Sequence, residues 1–258
     1  MADIIAFSNQ KGGVGKTTTA VNLAACLAVS ERRVLLVDMD PQANATSGIG
    51  LERDESRACI YECLLEPAQA REAVVRSQLE GLDVLPSSMR LVGAEVELVA
   101  ALGREYRLKK ALAVLAADYE YILIDCPPSL SLLTVNTLCA ADGVIIPIQA
   151  EYYALEGLSQ LLNTIELVRE SLNPRLIVRG VVLTMYDSRL NLCNMVRKEV
   201  EDHFGDRMYK SIIRRNVKLG EAPSHGKPIL LYDVGSPGSQ NYIALAQEIL
   251  DESVQITG

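Results

Sequence analysis

Residues 11–18 of this chain read Lys11-Gly12-Gly13-Val14-Gly15-Lys16-Thr17-Thr18, and no other stretch limits the fold as strongly. The octet follows an apolar run, Ile4-Ile5-Ala6-Phe7. It leads into residues 18–28, where Ala20, Leu23, Ala24 and Leu27 recur at helical spacing. A glycine-rich turn from a buried strand into a helix is a place for an anion. The first N–H groups of a helix have no intrahelical partner, and the helix dipole is positive there. Gly12, Gly13 and Gly15 let the backbone curl closely around phosphate oxygens. Lys16 sets a charge against the outer phosphates, and Thr17 a hydroxyl against Mg2+. The common pattern G-x-x-x-x-G-K-[ST] would put glycine at position 10. This chain has Gln10 there, and a second lysine, Lys11, follows it.

Further apolar runs at residues 34–37, 82–85, 121–124, 144–148 and 177–183 read as strands. Helical patterns lie between or after them, at 91–117 with a break near Gly103, 155–172, 192–204 and 242–250. A last short strand is expected at 208–213, and 52–78 is too weakly patterned to assign. Strands alternating with helices predict parallel βαβ units with right-handed crossovers. The expected fold is α/β: a doubly wound, mostly parallel sheet with helices on both faces, forming one domain over residues 1–258. With 5% aromatic residues and no Trp, the core must be built from Val, Ile, Leu and Ala, which suits a sheet buried on both faces. Six cysteines without a CxxC pair read as reduced thiols. No basic leader and no long apolar run is present, so a cytoplasmic protein is expected.

Two of the strand runs end in acid. Val37-Asp38-Met39-Asp40-Pro41-Gln42 closes the second, and Ile124-Asp125-Cys126-Pro127-Pro128 the one at 121–124. Ligands of open parallel sheets bind at the carboxyl ends of strands, the edge that also carries the loop. Asp125 is the candidate for the metal side of the site. Asp40, just past its strand, can orient an attacking water. Asp38 belongs either to the outer shell of Mg2+ or to the loop's hydrogen bonds, and spacing alone leaves the roles of Asp38 and Asp40 exchangeable.

A net charge of −8 argues against a dedicated nucleic-acid binder. The charge is uneven, however. Residues 169–227 hold twelve lysines and arginines against seven acids, a local excess of five positive charges.

The loop, Asp38-Met-Asp-Pro-Gln and Ile124-Asp-Cys-Pro-Pro, in this order, resemble the deviant Walker-motif ATPases, which include the MinD and ParA families. Asn44-Ala-Thr-Ser-Gly, Gln149-Ala-Glu-Tyr-Tyr-Ala-Leu-Glu-Gly, Thr184-Met-Tyr-Asp and Arg215-Asn-Val-Lys-Leu-Gly-Glu-Ala-Pro-Ser are similar to chromosomal ParA proteins of the Soj type. The resemblance runs over residues 4–250. It implies an ATP hydrolase that uses ATP and Mg2+ and forms a homodimer with two nucleotides in the interface. In that dimer Lys11 reaches the partner's ATP like a trans arginine finger. It also implies sequence-independent DNA binding by the ATP dimer. Hydrolysis is slow until a ParB-type, Spo0J-like centromere-binding protein stimulates it, and the cycle segregates chromosomes or plasmids. The protein is then expected in the cytoplasm, on the nucleoid and not on a membrane. Adenine contacts are expected at Met185, Arg214 and Asn216, although many relatives carry proline where this chain has Arg214. DNA contacts are expected at Arg215, with Arg189, Arg197, Lys198 and Lys218 in support and Lys210 nearby.

Three other functions compete. A MinD-like membrane-cycling regulator wants a basic amphipathic helix at its end, and residues 246–258 contain no lysine or arginine. An electron-transfer ATPase related to nitrogenase iron protein wants cluster-ligating cysteines, and the surroundings of Cys126 and Cys139 do not resemble those segments. A ParA-like protein that positions non-DNA cargo shares every motif named above.

Overall fold

The computed structural model describes residues 2–151 and 158–257, with side chains placed to residue 252. Seven strands form one sheet: β1 (Asp3–Phe7), β2 (Val34–Asp38), β3 (Val75–Arg76), β4 (Leu82–Leu85), β5 (Tyr121–Asp125), β6 (Gly143–Gln149) and β7 (Ile177–Thr184). Their spatial order is β3-β4-β2-β5-β1-β6-β7. Every pairing is parallel except that of the short edge strand β3 on β4.

Both faces of the sheet are covered, as the Val/Ile/Leu strands require. Ile5 and Phe7 of β1 and Leu36 of β2 enter one core cluster with Leu23 and Leu27 of helix α1 (Lys16–Val29). Leu35 and Val37, one residue out of phase, join Leu108 and Leu112 of α2 (Arg107–Leu115) on the other face. That alternation is the two-residue period of a strand. Helices α3 (Leu132–Ala140), α4 (Leu158–Ser171) and α5 (Asn191–Phe204) also lie on the α2 side, and α6 (Pro237–Thr257) packs beside α1. No helix among the described residues is long and apolar enough to cross a membrane.

One expectation changes, and three are filled in or bounded. The break at Gly103 is real, with φ of 63°, and it splits residues 91–117 into Leu91–Glu97, two single-turn 3-10 segments and α2. The weakly patterned stretch holds the helix Ile60–Leu65 and β3. The start of the expected 155–172 helix falls outside the described residues, as does most of the segment 149–157. The strand expected at 208–213 is absent; only isolated bridges join Val181 to Met208 and Tyr186 to Arg214. The cause is tertiary. The Glu248 carboxylate of α6 accepts the N–H groups of Lys210 at 2.9 Å and Ser211 at 2.7 Å, so only Tyr209 and Ile213 are left to donate to the β7 carbonyls of Val181 and Leu183.

A buried arginine ties the sheet to α6. Arg179 of β7 donates to Asp3 Oδ2 at 2.5 Å and to Glu252 Oε2 at 2.9 Å.

Candidate nucleotide site

Register sets the site. Phe7 pairs with Asp125 and Asp38 pairs with Asp125, so three neighbouring strands end level with one another. The loop leaves β1 at Ser8 and enters α1 at Lys16. Gly13 and Gly15 take φ of 75° and 89°, conformations that a side chain would strain. Val14 is buried, and its carbonyl accepts from Thr184 Oγ1 at 2.8 Å, which pins the loop to β7. Asn9 pins the other end: Nδ2 donates to the Pro147 carbonyl of β6 at 2.7 Å, and Oδ1 accepts the Lys11 N–H at 3.0 Å. Lys16 is buried and its ammonium donates to the Lys11 carbonyl at 3.2 Å, closing the loop from inside. Burial pushes the pKa of Lys16 down, while Asp125, Cys126 and Asp40 push it back up. The Lys11 ammonium pairs with Glu151 at 3.1 Å.

The three acids have different surroundings. Asp38 is wholly buried and both of its oxygens are committed: Oδ2 accepts from the Thr46 N–H at 2.8 Å and hydroxyl at 2.7 Å, and Oδ1 from the Asp40 N–H at 3.1 Å. These bonds organise the turn that presents Asp40, and they run to Thr46 and Asp40 and not to the phosphate loop. Asp40 accepts the Gln42 N–H at 2.9 Å through Oδ1 and faces the cavity. Ala43, at φ of 51°, then swings the chain into the short helix Asn44–Gly48.

Asp125 is the exception. Both of its oxygens are buried and neither has a hydrogen-bond partner. Burial pushes its pKa well up, and the charge of Asp38 adds to this. The neighbouring Thr17 hydroxyl and the Lys16 ammonium ease it. Buried polar atoms left unpaired need an explanation, and a hard cation supplies one. Among the described residues, no group of three or more His, Cys, Asp or Glu could hold a metal ion by itself. Mg2+ commonly binds through one or two carboxylates plus substrate phosphates, which fits a lone carboxylate beside a threonine hydroxyl.

A cavity of about 530 Å³ opens over the loop. Gly12, Gly13, Gly15, Lys16, Thr17 and Thr18 line one end. Met185, Ala222, Pro223 and Lys227 line it too, with Asn22 and Ser47. Of the three residues expected at the adenine, only Met185 lines this cavity. Asn216 instead caps the helix Val217–Glu221 by accepting the Lys218 N–H at 2.8 Å, and the Arg214 N–H donates to Asn241 at 3.1 Å. Sequence reasoning missed Asn22 and the wall at 222–227. The one available signal was a polar residue inside the apolar run of α1. Asn22 donates to the Thr18 carbonyl at 2.7 Å and accepts the Ile229 N–H at 2.6 Å, joining loop helix to wall. The wall is also held by a crossing of two glycines: a Cβ on Gly226 would lie 2.8 Å from the Gly50 Cα.

The basic residues singled out lie beyond β7. Arg189 chelates Asp187 at 2.6 and 2.9 Å and, with help from Arg215, holds that carboxyl down at about 2. Arg197 pairs with Glu201 at 2.7 Å and Lys218 with Glu221 at 2.9 Å. Arg215, Lys198 and Lys210 are exposed. Arg189 and Arg215 thus share one neighbourhood around Asp187. All six cysteines are buried, Cys126 among them.

Known proteins match this architecture closely. A family model described as an AAA domain fits residues 2–178. The sporulation initiation inhibitor protein Soj of Bacillus subtilis is 56% identical, over 96% of this chain and 98% of that protein. The chromosome partitioning protein ParA of Myxococcus xanthus is also 56% identical, over 96% of this chain and 87% of its own length. Among solved structures, cobyrinic acid a,c-diamide synthase from Mycobacterium smegmatis with a bound ATP analog and magnesium superposes with a TM-score of 0.85. It is 38% identical and covers 97% of this chain and 95% of that one. Identity of this degree from β1 to α6 leaves one conclusion: the chain belongs to the Soj/ParA family of chromosome-partitioning ATPases.

Proposed function

We propose that this protein is an ATP-driven switch for chromosome partition. It binds ATP and Mg2+, pairs with a second copy, and as a dimer holds DNA without sequence preference. A ParB-type centromere-binding partner stimulates its slow hydrolysis and returns it to the single chain. The observation that carries this reading is the buried, partnerless carboxylate of Asp125 directly behind Lys16 and Thr17. The group fits Mg2+ there, held by Asp125 and the Thr17 hydroxyl together with the phosphates. The bound ion supplies positive charge where the transferred phosphoryl group builds negative charge.

Each of the chain's own residues then has a task. The loop N–H groups and Lys16 hold the phosphates. Asp38 fixes the turn, and Asp40 orients the attacking water. Lys11 crosses to the nucleotide of the second copy. Arg215, with Arg189, Arg197, Lys198 and Lys218, forms the DNA face, which dimerisation doubles. Met185 and the wall at 222–227 take the base end. Identity to chromosomal partition proteins supports a chromosome as cargo and a place on the nucleoid.

The test is DNA binding to one duplex with ATP, with ADP and without nucleotide, over a salt series. Binding should be strong only with ATP. Its logarithm should fall with the logarithm of salt at a slope of roughly −0.9 per phosphate contacted. Arg215→Glu should abolish binding to every sequence alike while ATP affinity and dimerisation persist. Equal binding with ADP and ATP, or undiminished binding by Arg215→Glu, defeats this reading of the switch or of its face.

A further inference from the structure

Lys11 is held by three contacts. Its N–H is fixed through Asn9, which hangs from the Pro147 carbonyl of β6. Its carbonyl accepts the Lys16 ammonium. Its own ammonium meets Glu151 Oε2 at 3.1 Å. Glu151 lies two residues past the end of β6, the strand beside β1, so register brings it next to the loop. It is itself oriented: its N–H donates to the Gln149 carbonyl at 2.8 Å, and the Gln149 side-chain amide donates to its Oε1. One carboxylate oxygen is thus occupied, and the other points to Lys11.

This pair does not brace the core. The two side chains are 37% and 46% exposed, and neither residue belongs to a core cluster. The lone chain therefore neutralises, with its own carboxylate, the cation that the proposed cycle sends to another molecule. One ammonium cannot serve both sites. A triphosphate carries more charge than one carboxylate and binds an ammonium through charge-assisted hydrogen bonds, so a second copy carrying ATP outcompetes Glu151.

We propose that Glu151 is a positioning residue that latches Lys11 in the single chain and releases it only to a second copy bearing ATP. This rests on the reading of Lys11 as the group that acts across the dimer. A half-exposed ion pair shifts an equilibrium by up to about five-fold. A two-fold dimer opens two such latches, so the dimerisation constant is held down by up to about 25-fold. The latch thereby suppresses pairing until the partner's phosphates are in place.

The experiment measures dimerisation of the full chain by sedimentation with ATP and Mg2+, across protein concentration, for wild type, Glu151→Gln, Glu151→Ala and Lys11→Ala. Both Glu151 variants should dimerise at lower concentrations than wild type, by up to about 25-fold. The difference should shrink as salt rises, because salt already weakens an exposed pair in the wild type. Damage to the fold would move the midpoint upward, so the sign separates a latch from a structural role. A midpoint unchanged or raised in both variants overturns the proposal. Lys11→Ala should bind ATP and stay monomeric. If it pairs like wild type, the trans role of Lys11 is wrong and the latch falls with it. If pairing needs Lys11 but ignores Glu151, the latch alone is wrong.

Discussion

Replacing Asp125 by asparagine should make the nucleotide-free protein more stable and abolish its stabilisation by Mg2+. The carboxylate is wholly buried at the end of β5, level with Asp38, and neither oxygen has a hydrogen-bond partner. Burial is the largest influence raising its pKa, the Asp38 charge the next, and Thr17 and Lys16 oppose them less strongly. Two carboxylates, of Asp125 and Asp40, act on the Lys16 ammonium, so removing the first still leaves it the second. Relief of an uncompensated buried charge amounts to several kcal/mol. Two effects reduce it. Lys16 loses a nearby counter-charge, and the new amide inherits the same partnerless pocket, which costs about 1–3 kcal/mol. The net gain is then about 1–2 kcal/mol, or roughly 2–8 °C in Tm for a chain of this size. Calorimetry of both proteins in EDTA, then with ADP and a Mg2+ series, is the assay. Wild type should gain Tm with Mg2+ and the variant should not. A nucleotide-free variant that melts at or below wild type would refute the electrostatic argument, and an equal rise with Mg2+ would move the metal elsewhere.

Two further outcomes separate steps of the cycle. Asp40→Ala should bind ATP and accumulate as a dimer on size exclusion, with hydrolysis reduced by about 100-fold or more, since water positioning is lost while the cradle remains; a monomer with full ATPase activity contradicts this. Gly12→Val should bind ATP yet remain monomeric. A Cβ at Gly12 meets nothing within 4 Å among the described residues, so the fold itself leaves room for the branched side chain, and a dimer that forms normally would count against steric obstruction of a second copy.

Much of this was legible in the sequence because strands buried on both faces announce themselves as apolar runs, and the Gly-rich octet can sit only between β1 and α1. The positions of Asp38 and Asp125 followed from the rule about strand ends, and register placed them side by side. What the chain order hid was tertiary. No local pattern marks residues 208–213 as lacking a ladder, because the group that satisfies them, Glu248, lies far along the chain. Asn216 gave no sign in the sequence of its place as a helix cap, in which its oxygen accepts the Lys218 N–H. Ala222, Pro223 and Lys227 reach the cavity only because Asn22 and the Gly50–Gly226 crossing hold that segment against α1 and the helix Asn44–Gly48. The Thr46 hydrogen bonds of Asp38, made eight residues away, were equally hidden.

The packing of α6 on α1 has a consequence for how the protein is made. Tyr242 shares a hydrogen bond with Thr19 at 3.2 Å, and Leu245 and Ile249 enter the same cluster as Leu23 and Leu27. The helix that begins with Lys16 is therefore sealed by the helix that ends the described chain. A ribosome produces the first of these well before the second. Throughout that interval the apolar side of the phosphate-loop helix is open to water, and Arg179 waits in β7 without Glu252. A growing chain consequently carries the phosphate-binding sequence long before it has a rigid cradle, and it depends on chaperones or on speed of synthesis to keep that surface from other chains. Nucleotide can stabilise the cradle only after both have emerged, since binding selects the folded state and the site's wall and its covering helix follow far behind the loop in the chain.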